Sequence, residues 1–426
     1  MSSIYLQRYA YPNVLIAQEP GHDLGLIITI PAFREEGLLR SLEALAACHR
    51  PNCPVEVIVL VNQPVDTPGE VSEINYKSYK EALAWAKKTN DSGLHFHILC
   101  LDDLPAKHAG VGLARKIAMD EAARRYEYLQ NDGGIIACFD ADCTCDPNYL
   151  VELKGHFERH PGTPGCSIYF EHPLDGALPS EVYEAIIHYE LFLRYYTGAL
   201  RFAGFPGAYQ AIGSSMAVRN NAYQKQGGMN RRKAGEDFYF LQRIIALGSF
   251  TELNTTRVIP SPRTSDRVPF GTGKAVQDWI DHRPREGYSP QIFLDLKKFL
   301  GHCQVFHEAS APQVTNILQS LPMSVRAFLE SVDFHDELER LHKQSTSSTT
   351  FQKHFFQWFN GFTVLKYVHF ARDRYYGNVS LTRAARWLLE ELVPGQAVDA
   401  PKAMLQALRS MDRSSTWGNQ SEKNRA

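Results

Sequence analysis

The chain has 426 residues, enough for two domains or one large domain with an appendage, and its 44% hydrophobic and 22% charged composition is that of an ordinary globular protein. A formal net charge of -2 argues against a nucleic-acid-binding surface, and no apolar run reaches the roughly eighteen residues of a membrane span. The start, MSSIYLQRYAYPN, lacks the basic and apolar regions of a signal peptide, so a cytoplasmic location is expected, with peripheral membrane contact left open. Eight cysteines, at 48, 53, 100, 138, 143, 145, 166 and 303, show no zinc-site spacing and read as reduced thiols.

Residues 1–23 carry aromatics, Pro12, Pro20 and Gly21 without a period, and form an N-terminal extension packed along a surface. Leu24 to Ile30 is a continuous β-branched run ended by Pro31, the pattern of a buried parallel strand. Arg34-Glu35-Glu36-Gly37 opens a helix with Leu38, Leu39, Leu42, Leu45 and Ala46 at helical spacing. Val55 to Val61 is a second strand, closing a βαβ unit. A polar loop, Asp66 to Asn75, leads to a helix over Tyr76–Lys88 and a third strand, His95–Leu101. The next helix starts from Lys107-His108-Ala109-Gly110-Val111-Gly112 and runs to Tyr128. Ile135–Phe139 is a fourth buried strand, Asp146-Pro147 an N-cap followed by a first-turn proline, and Gly165–Phe170 a further strand. This alternation predicts an α/β fold with helices on both faces of a mostly parallel sheet.

The pattern then changes. Glu181–Tyr196 is a long aromatic helix, Ala211–Val218 a strand after a Gly-rich stretch, and Gly235-Glu236-Asp237 the start of a helix stopped by Gly248. Thr256–Ile259 is the last strand. From about Gln291 strands disappear, and amphipathic helices follow at Gln291–His302, Ser324–Ser331, Phe334–Lys343, Phe351–Tyr376 and Leu381–Leu392, with a flexible Ser/Thr joint at 345–350. The C-terminal aromatics, Phe351, Phe355, Phe356, Trp358, Phe359, Phe362 and Tyr367, read as helical core. The expected domains are 24–275 and a helical 276–410, with a disordered tail at 411–426.

The chemistry concentrates after the fourth strand. Asp140 and Asp142 alternate in GIIACFDADCTCDPNY, so an extended backbone would present both carboxylates on one face at the sheet's carboxyl edge, where open α/β sheets bind ligands. Such a pair is stable around a hard divalent cation that also takes phosphate oxygens. Glu236-Asp237 is a second acidic pair, at a helix start where the dipole favours it.

LIITIPAFREE, VEVIVLVNQ, GVGLARKIAMDEA, CFDADCTCDPNYL and GSSMAVRNNAYQKQGGMNRRKAGEDFYFLQRI together resemble family 2 glycosyltransferases over about residues 24 to 260. The resemblance implies a GT-A (Rossmann-like) core with a mixed, mostly parallel sheet and a C-terminal α-helical domain. It also implies a nucleotide-sugar donor, a UDP-sugar foremost, a Mn2+ or Mg2+ ion, and a hydroxyl acceptor that is a saccharide, lipid-linked or a small molecule. By the same resemblance Asp142 binds the metal, Asp140 the metal and ribose, and Pro31, Ala32 and Glu35 touch the nucleotide. Asn62 stands where many members carry an acidic residue at the base, and an amide meets a pyrimidine edge as donor and acceptor. Arg115 reaches the nucleotide, with Lys107 and the glycines of the 107–116 stretch at the phosphates. Asp237 is the general base of an inverting transfer, and Gly213, Ser214, Ser215 and Glu236 lie on the acceptor side. Arg263 and Arg267, in the Pro/Gly/Arg loop from Ser261 to Lys274, close over the diphosphate. Asp281 and His282 are guesses for a third metal ligand. The alternatives are a sugar-nucleotide nucleotidyltransferase, disfavoured because Pro31–Glu36 replaces its basic Gly-rich loop, and a non-catalytic scaffold that binds nucleotide or a partner.

Overall fold

Runs such as LIITI and VEVIVLV have no polar alternation, so they bury themselves only between two helical layers. The computed structural model describes residues 3–267, 271–282, 286–395 and 398–414. It divides into two compact units, Met1–Leu178 with Ala211–Ala275, and Pro179–Gln210 with Val276–Ala426. Residues 179–210 thus leave the α/β unit in which they were expected, and the N-terminal extension is part of that unit.

The first unit is built on eight strands: β1 (Leu26–Ala32), β2 (Val55–Pro64), β3 (Leu94–Leu104), β4 (Ile135–Cys138), β5 (Thr144–Cys145), β6 (Gly165–Phe170), β7 (Met216–Arg219) and β8 (Thr251–Ile259). Their order is β3-β2-β1-β4-β7-β6-β8-β5. The first four are parallel, β7 runs against β4 and β6, β8 is parallel to β6, and β5 pairs antiparallel with β8. Helices α1 (Ile4–Arg8), α2 (Leu38–Ala46), α3 (Gly69–Thr89), α4 (Val111–Tyr128) and α5 (Tyr149–Arg159) precede α6 (Ser180–Phe202) of the second unit, and α7 (Asn220–Lys225) and α8 (Glu236–Ile245) return to the first. The expected α/β fold with a mixed, mostly parallel sheet and a helical C-terminal region is what forms. Its core is the β1–β2 layer, where Ile27, Ile28, Ile30, Val57, Ile58 and Val59 are fully buried. Each such side chain contributes about 1.5–3 kcal/mol on burial.

Several local expectations are corrected. β1 runs through Pro31 to Ala32, because β4 has ended at Cys138 and Pro31 faces only Leu60 of β2. Residues 69–75, expected as loop, are the first turns of α3. Asp146 does not cap a helix: α5 starts at Tyr149 after Asn148, and Asp146 pairs with Arg257 at 2.9 Å. Residues 211–215 precede β7 rather than forming it.

The N-terminal extension is tied to α4. Asp120, wholly buried, accepts from the Tyr5 hydroxyl (2.5 Å), the Tyr223 hydroxyl (2.6 Å) and the Tyr11 N–H (2.8 Å), and pairs with Lys116 at 2.9 Å. Glu121 accepts the N–H groups of Leu15 and Ile16.

Among the described residues the second unit is helical with one short antiparallel pair, β9 (Glu286–Tyr288) and β10 (Asn378–Ser380), the latter in the region expected to lack strands. The expected helix over 351–376 is two, Ser348–Trp358 and Gly361–Ala371, the second continued by a π turn over Arg372–Tyr376. Phe351, Phe355, Phe359 and Tyr367 are core, whereas Phe356, Trp358 and Phe362 are half-buried. The C-terminal helix Pro401–Ser414 covers four residues of the expected tail, and 415–426 lie outside the described residues. Buried charges hold that helix to α6. Arg194 bonds Glu190 (2.8 Å) and Asp412, Arg201 bonds Asp412 (3.0 Å), and Arg409 bonds Glu190 (2.6 Å). Among the described residues no helix is long and apolar enough to cross a membrane.

Candidate active site

The strand directions of the first unit gather the acidic segments at one edge of the sheet. β1, β2, β4 and β8 deliver their carboxyl ends there, and β7, running the other way, delivers its amino end. The segments that meet are therefore 33–36, 140–143, 213–215 and 261–267, joined by the start of α8 through Arg115.

β4 stops before Asp140, and the Cys143 N–H returns to the Asp140 carbonyl at 3.1 Å. A tight turn rather than an extended strand thus brings Asp140 and Asp142 together, which corrects the geometric basis of the sequence reading. The Ser41 hydroxyl fixes the turn by donating to the Ala141 carbonyl at 2.8 Å. Ligand atoms of Asp140, Asp142 and Cys143 all lie within 4.8 Å of one another. Burial, then the nearby Asp142 and Asp140, pushes the Cys143 thiol far above its ordinary range, so it stays a neutral S–H. Burial, then Asp140, with Glu35 adding, also raises the Asp142 carboxyl against the pull of Arg263 and Arg267. That is the state of a hard-oxygen cluster short of positive charge, and its two carboxylates fit a Mg2+ or Mn2+ ion.

Glu35, 2% exposed, receives the Gly37 N–H on one oxygen (3.0 Å) and both Arg263 and Arg267 (3.1 Å) on the other. The same guanidiniums reach Asp142, at 3.2 and 3.7 Å. The two arginines therefore bridge the turn after β1 to the turn after β4. Residues 268–270 of their segment lie outside the described residues, and Gly271 to Lys274 lead into the helix Thr272–His282.

Arg115 is placed differently from its expected role at the nucleotide. It is 2% exposed and donates to Asp140 (2.9 Å), Glu236 (3.1 Å) and the Gly213 carbonyl (2.6 Å). Gly213 lets the guanidinium come this close, since a Cβ would sit 2.6 Å from the Arg115 guanidinium and 3.2 Å from Asp237 Oδ2 and one of them would have to shift. Asp237, half-buried, accepts the Phe238 N–H at 2.7 Å. Its carboxyl is pushed up to about 7 by burial and then by Glu236, with Arg115 opposing.

Ser214 and Ser215, expected on the acceptor side, are each 1% exposed, with hydroxyls 3.4 Å apart inside the unit, so they line no open surface. Pro31 and Ala32 end β1 and Asn62 lies two residues before the end of the adjacent β2, with Ala32 and Asn62 buried. Lys107 is exposed in the turn after β3 and bonds none of the other candidates. The room expected for phosphate at Gly112 is filled by the chain itself. A Cβ there would lie 2.2 Å from the Arg232 carbonyl oxygen. Asp281 is exposed and accepts from Gln277 of its own helix, and His282 faces the Asp278 carbonyl. Cys143 was missed as the third group of the cluster. Its neighbours in sequence were the only signal, and a C-x-C without further ligands is weak evidence.

No family model and no curated protein matches the chain. Among solved structures it is similar to S. aureus TarS 1-349, at 11% identity over 78% of this chain and 90% of that one, with a TM-score of 0.37. The complexes of the same fragment with UDP-GlcNAc and with UDP are each 12% identical over 94% of this chain and 92% of theirs, with TM-scores of 0.36 and 0.37. Likenesses this loose assign no activity.

Proposed function

We propose that the chain is a nucleotide-sugar-dependent glycosyltransferase of the GT-A type. It would work with a divalent cation at Asp140 and Asp142 and move a sugar from a UDP-linked donor to a hydroxyl acceptor with inversion. The observation that carries the reading is the joining, at one sheet edge, of the Asp140–Asp142 turn to a second acidic pair through one buried arginine. The motif resemblance over residues 24 to 260 supports it.

The roles follow from the contacts. Asp140 and Asp142 would hold the ion, which when bound offsets charge on the departing diphosphate. Arg115 is a positioning residue. It fixes the Asp140 carboxylate on one side and Glu236 on the other, so the two acidic pairs keep a constant separation. Arg263 and Arg267 neutralise Glu35 and Asp142, and can transfer one or more of their donors to a diphosphate oxygen. Asp237, raised toward neutrality, is matched to take the acceptor's proton as the new glycosidic bond forms. Asn62 and the β1 terminus are left for the base and ribose. The eight free cysteines accord with a cytoplasmic location.

The nucleotidyltransferase alternative is further disfavoured because the turn after β1 presents the buried carboxylate of Glu35 where that chemistry needs bare backbone N–H groups. The test is calorimetric titration of UDP-sugars with and without Mn2+, on the wild type and Asp142→Ala. Mn2+-dependent binding of a nucleotide sugar that the variant loses is expected. Absence of binding by any nucleotide sugar overturns the reading.

A further inference from the structure

Two of the eight free cysteines touch. Cys48 follows the end of α2, Cys145 lies in β5, and their sulfurs are 3.5 Å apart across 97 positions of sequence. Among the described residues no other pair of cysteines is in sulfur contact: Cys138 meets Met119 Sδ and Cys143 faces Asp142. The contact is held from both sides. The His49 N–H bonds the Pro147 carbonyl at 2.8 Å, the Ser41 hydroxyl bonds the Ala141 carbonyl, and Cys145 is in register with Val258 of β8. The Cys48 thiol is also aimed at the Ala44 and Asp146 carbonyls, at 3.3 and 3.7 Å. Sulfurs in van der Waals contact need to close by only about 1.5 Å to reach the bond length of a disulfide.

We propose that Cys48 and Cys145 are a modification site, a dithiol that a hydroperoxide converts reversibly to a disulfide. The site needs nothing from the proposed transferase activity. The hydrogen bond from Cys145 draws the Cys48 thiol below the usual cysteine range, against the burial that would raise it. The Cys48 thiolate attacks a peroxide oxygen, the O–O bond breaks, and the departing hydroxide takes the proton that Cys48 released and becomes water, leaving a sulfenic acid. The Cys145 sulfur then attacks the Cys48 sulfur, the S–S bond forms and the S–O bond breaks. The departing oxygen leaves as water with the Cys145 proton. Two thiols and one hydrogen peroxide thus give one disulfide and two waters, and an external dithiol reverses the change. Hydrogen peroxide is small enough to enter beside Cys145, which is only half-buried. The crosslink would fasten the end of α2 to the strand that leaves the Asp140–Asp142 turn, three residues beyond Asp142.

The test treats the full chain with hydrogen peroxide and alkylates the remaining thiols. The expected product has lost two hydrogens and two alkylatable thiols, and runs faster on a non-reducing gel because a 97-position loop is closed. Its digest contains a fragment joining Cys48 to Cys145 that dithiothreitol releases. Cys48→Ser and Cys145→Ser should each abolish that fragment, and Cys53→Ser should keep it, with melting temperatures showing that all three variants fold. The proposal is overturned if all eight thiols survive in the folded protein. It is equally overturned if the peroxide joins a different pair, such as Cys143 with Cys145, or drives Cys48 to a sulfinic acid without a crosslink.

Discussion

Two buried arginines, Arg115 in the α/β unit and Arg194 in the helical unit, both sit among carboxylates, and the balance around them differs. In the helical unit Glu190 and Asp412 are each held by two arginines. At the sheet edge, among the described residues and apart from the exposed Arg34–Asp266 pair, five carboxylates, Glu35, Asp140, Asp142, Glu236 and Asp237, face three guanidiniums, those of Arg115, Arg263 and Arg267. Burial of charge is common to both, so burial alone does not mark a site. The excess of carboxylates distinguishes the sheet edge, where burial first and then the neighbouring acids raise Asp142 and Asp237.

The sharpest way to break the comparison is to remove the excess. Asp142→Ala is expected to lower kcat/KM by about a thousandfold or more, the scale of a lost metal contact at the developing charge. Transfer kinetics with Mn2+ titrated at each pH would measure it. Next comes the cluster around Glu190 and Asp412. Arg194→Met should cost about 3 kcal/mol in urea unfolding of the helical unit while leaving Mn2+ affinity unchanged, because it strips one donor from each of two buried carboxylates.

Asp237 separates activity from stability. In the proposed role of base it must be ionised, so kcat should rise with pH through about 7 and level above it, and Asp237→Asn should lose that limb with about a hundredfold or greater fall in kcat. The stability sign is opposite to that of an ion-paired aspartate. A carboxyl raised on folding favours the folded state at low pH, and that contribution is lost as pH rises from its unfolded value near 4 through about 7. Asp237→Asn should therefore be more stable than the wild type at pH 8, by roughly 1–2 kcal/mol once screening is allowed for, with the gap closing toward pH 4. Equal melting temperatures at both pH values would remove the argument. Smallest is Arg263→Gln, which takes a competing cation off Asp142 and Glu35. Mn2+ binding without donor, read by electron paramagnetic resonance, should tighten about two- to fivefold.

β1 and β2 were legible because they are short β-branched runs bounded by turn residues, and β6, with a single β-branched residue, is nonetheless found at the expected residues, Gly165–Phe170. β5, two residues long, carries no period and was invisible. The acidic segments were legible as candidates, but their partners were not. Arg115 belongs to an ordinary-looking helix, and only the meeting of α4 with α8 shows that it holds Asp140 and Glu236. Gly112 was misread for a related reason: glycine signals a close approach but not what approaches, which here is the Arg232 backbone. Ser214 and Ser215 were placed on the acceptor side by the motif resemblance alone, yet the segment just before β7 buries them.

The attachment of residues 3–16 to α4 bears on how the protein can be trimmed. A shortened version beginning at the first core strand would leave Asp120 and Glu121 buried with several of their donors gone, on the helix that presents Arg115. Expression of such a fragment should yield aggregated material, and boundaries chosen from the sheet alone would misjudge where the folding unit begins.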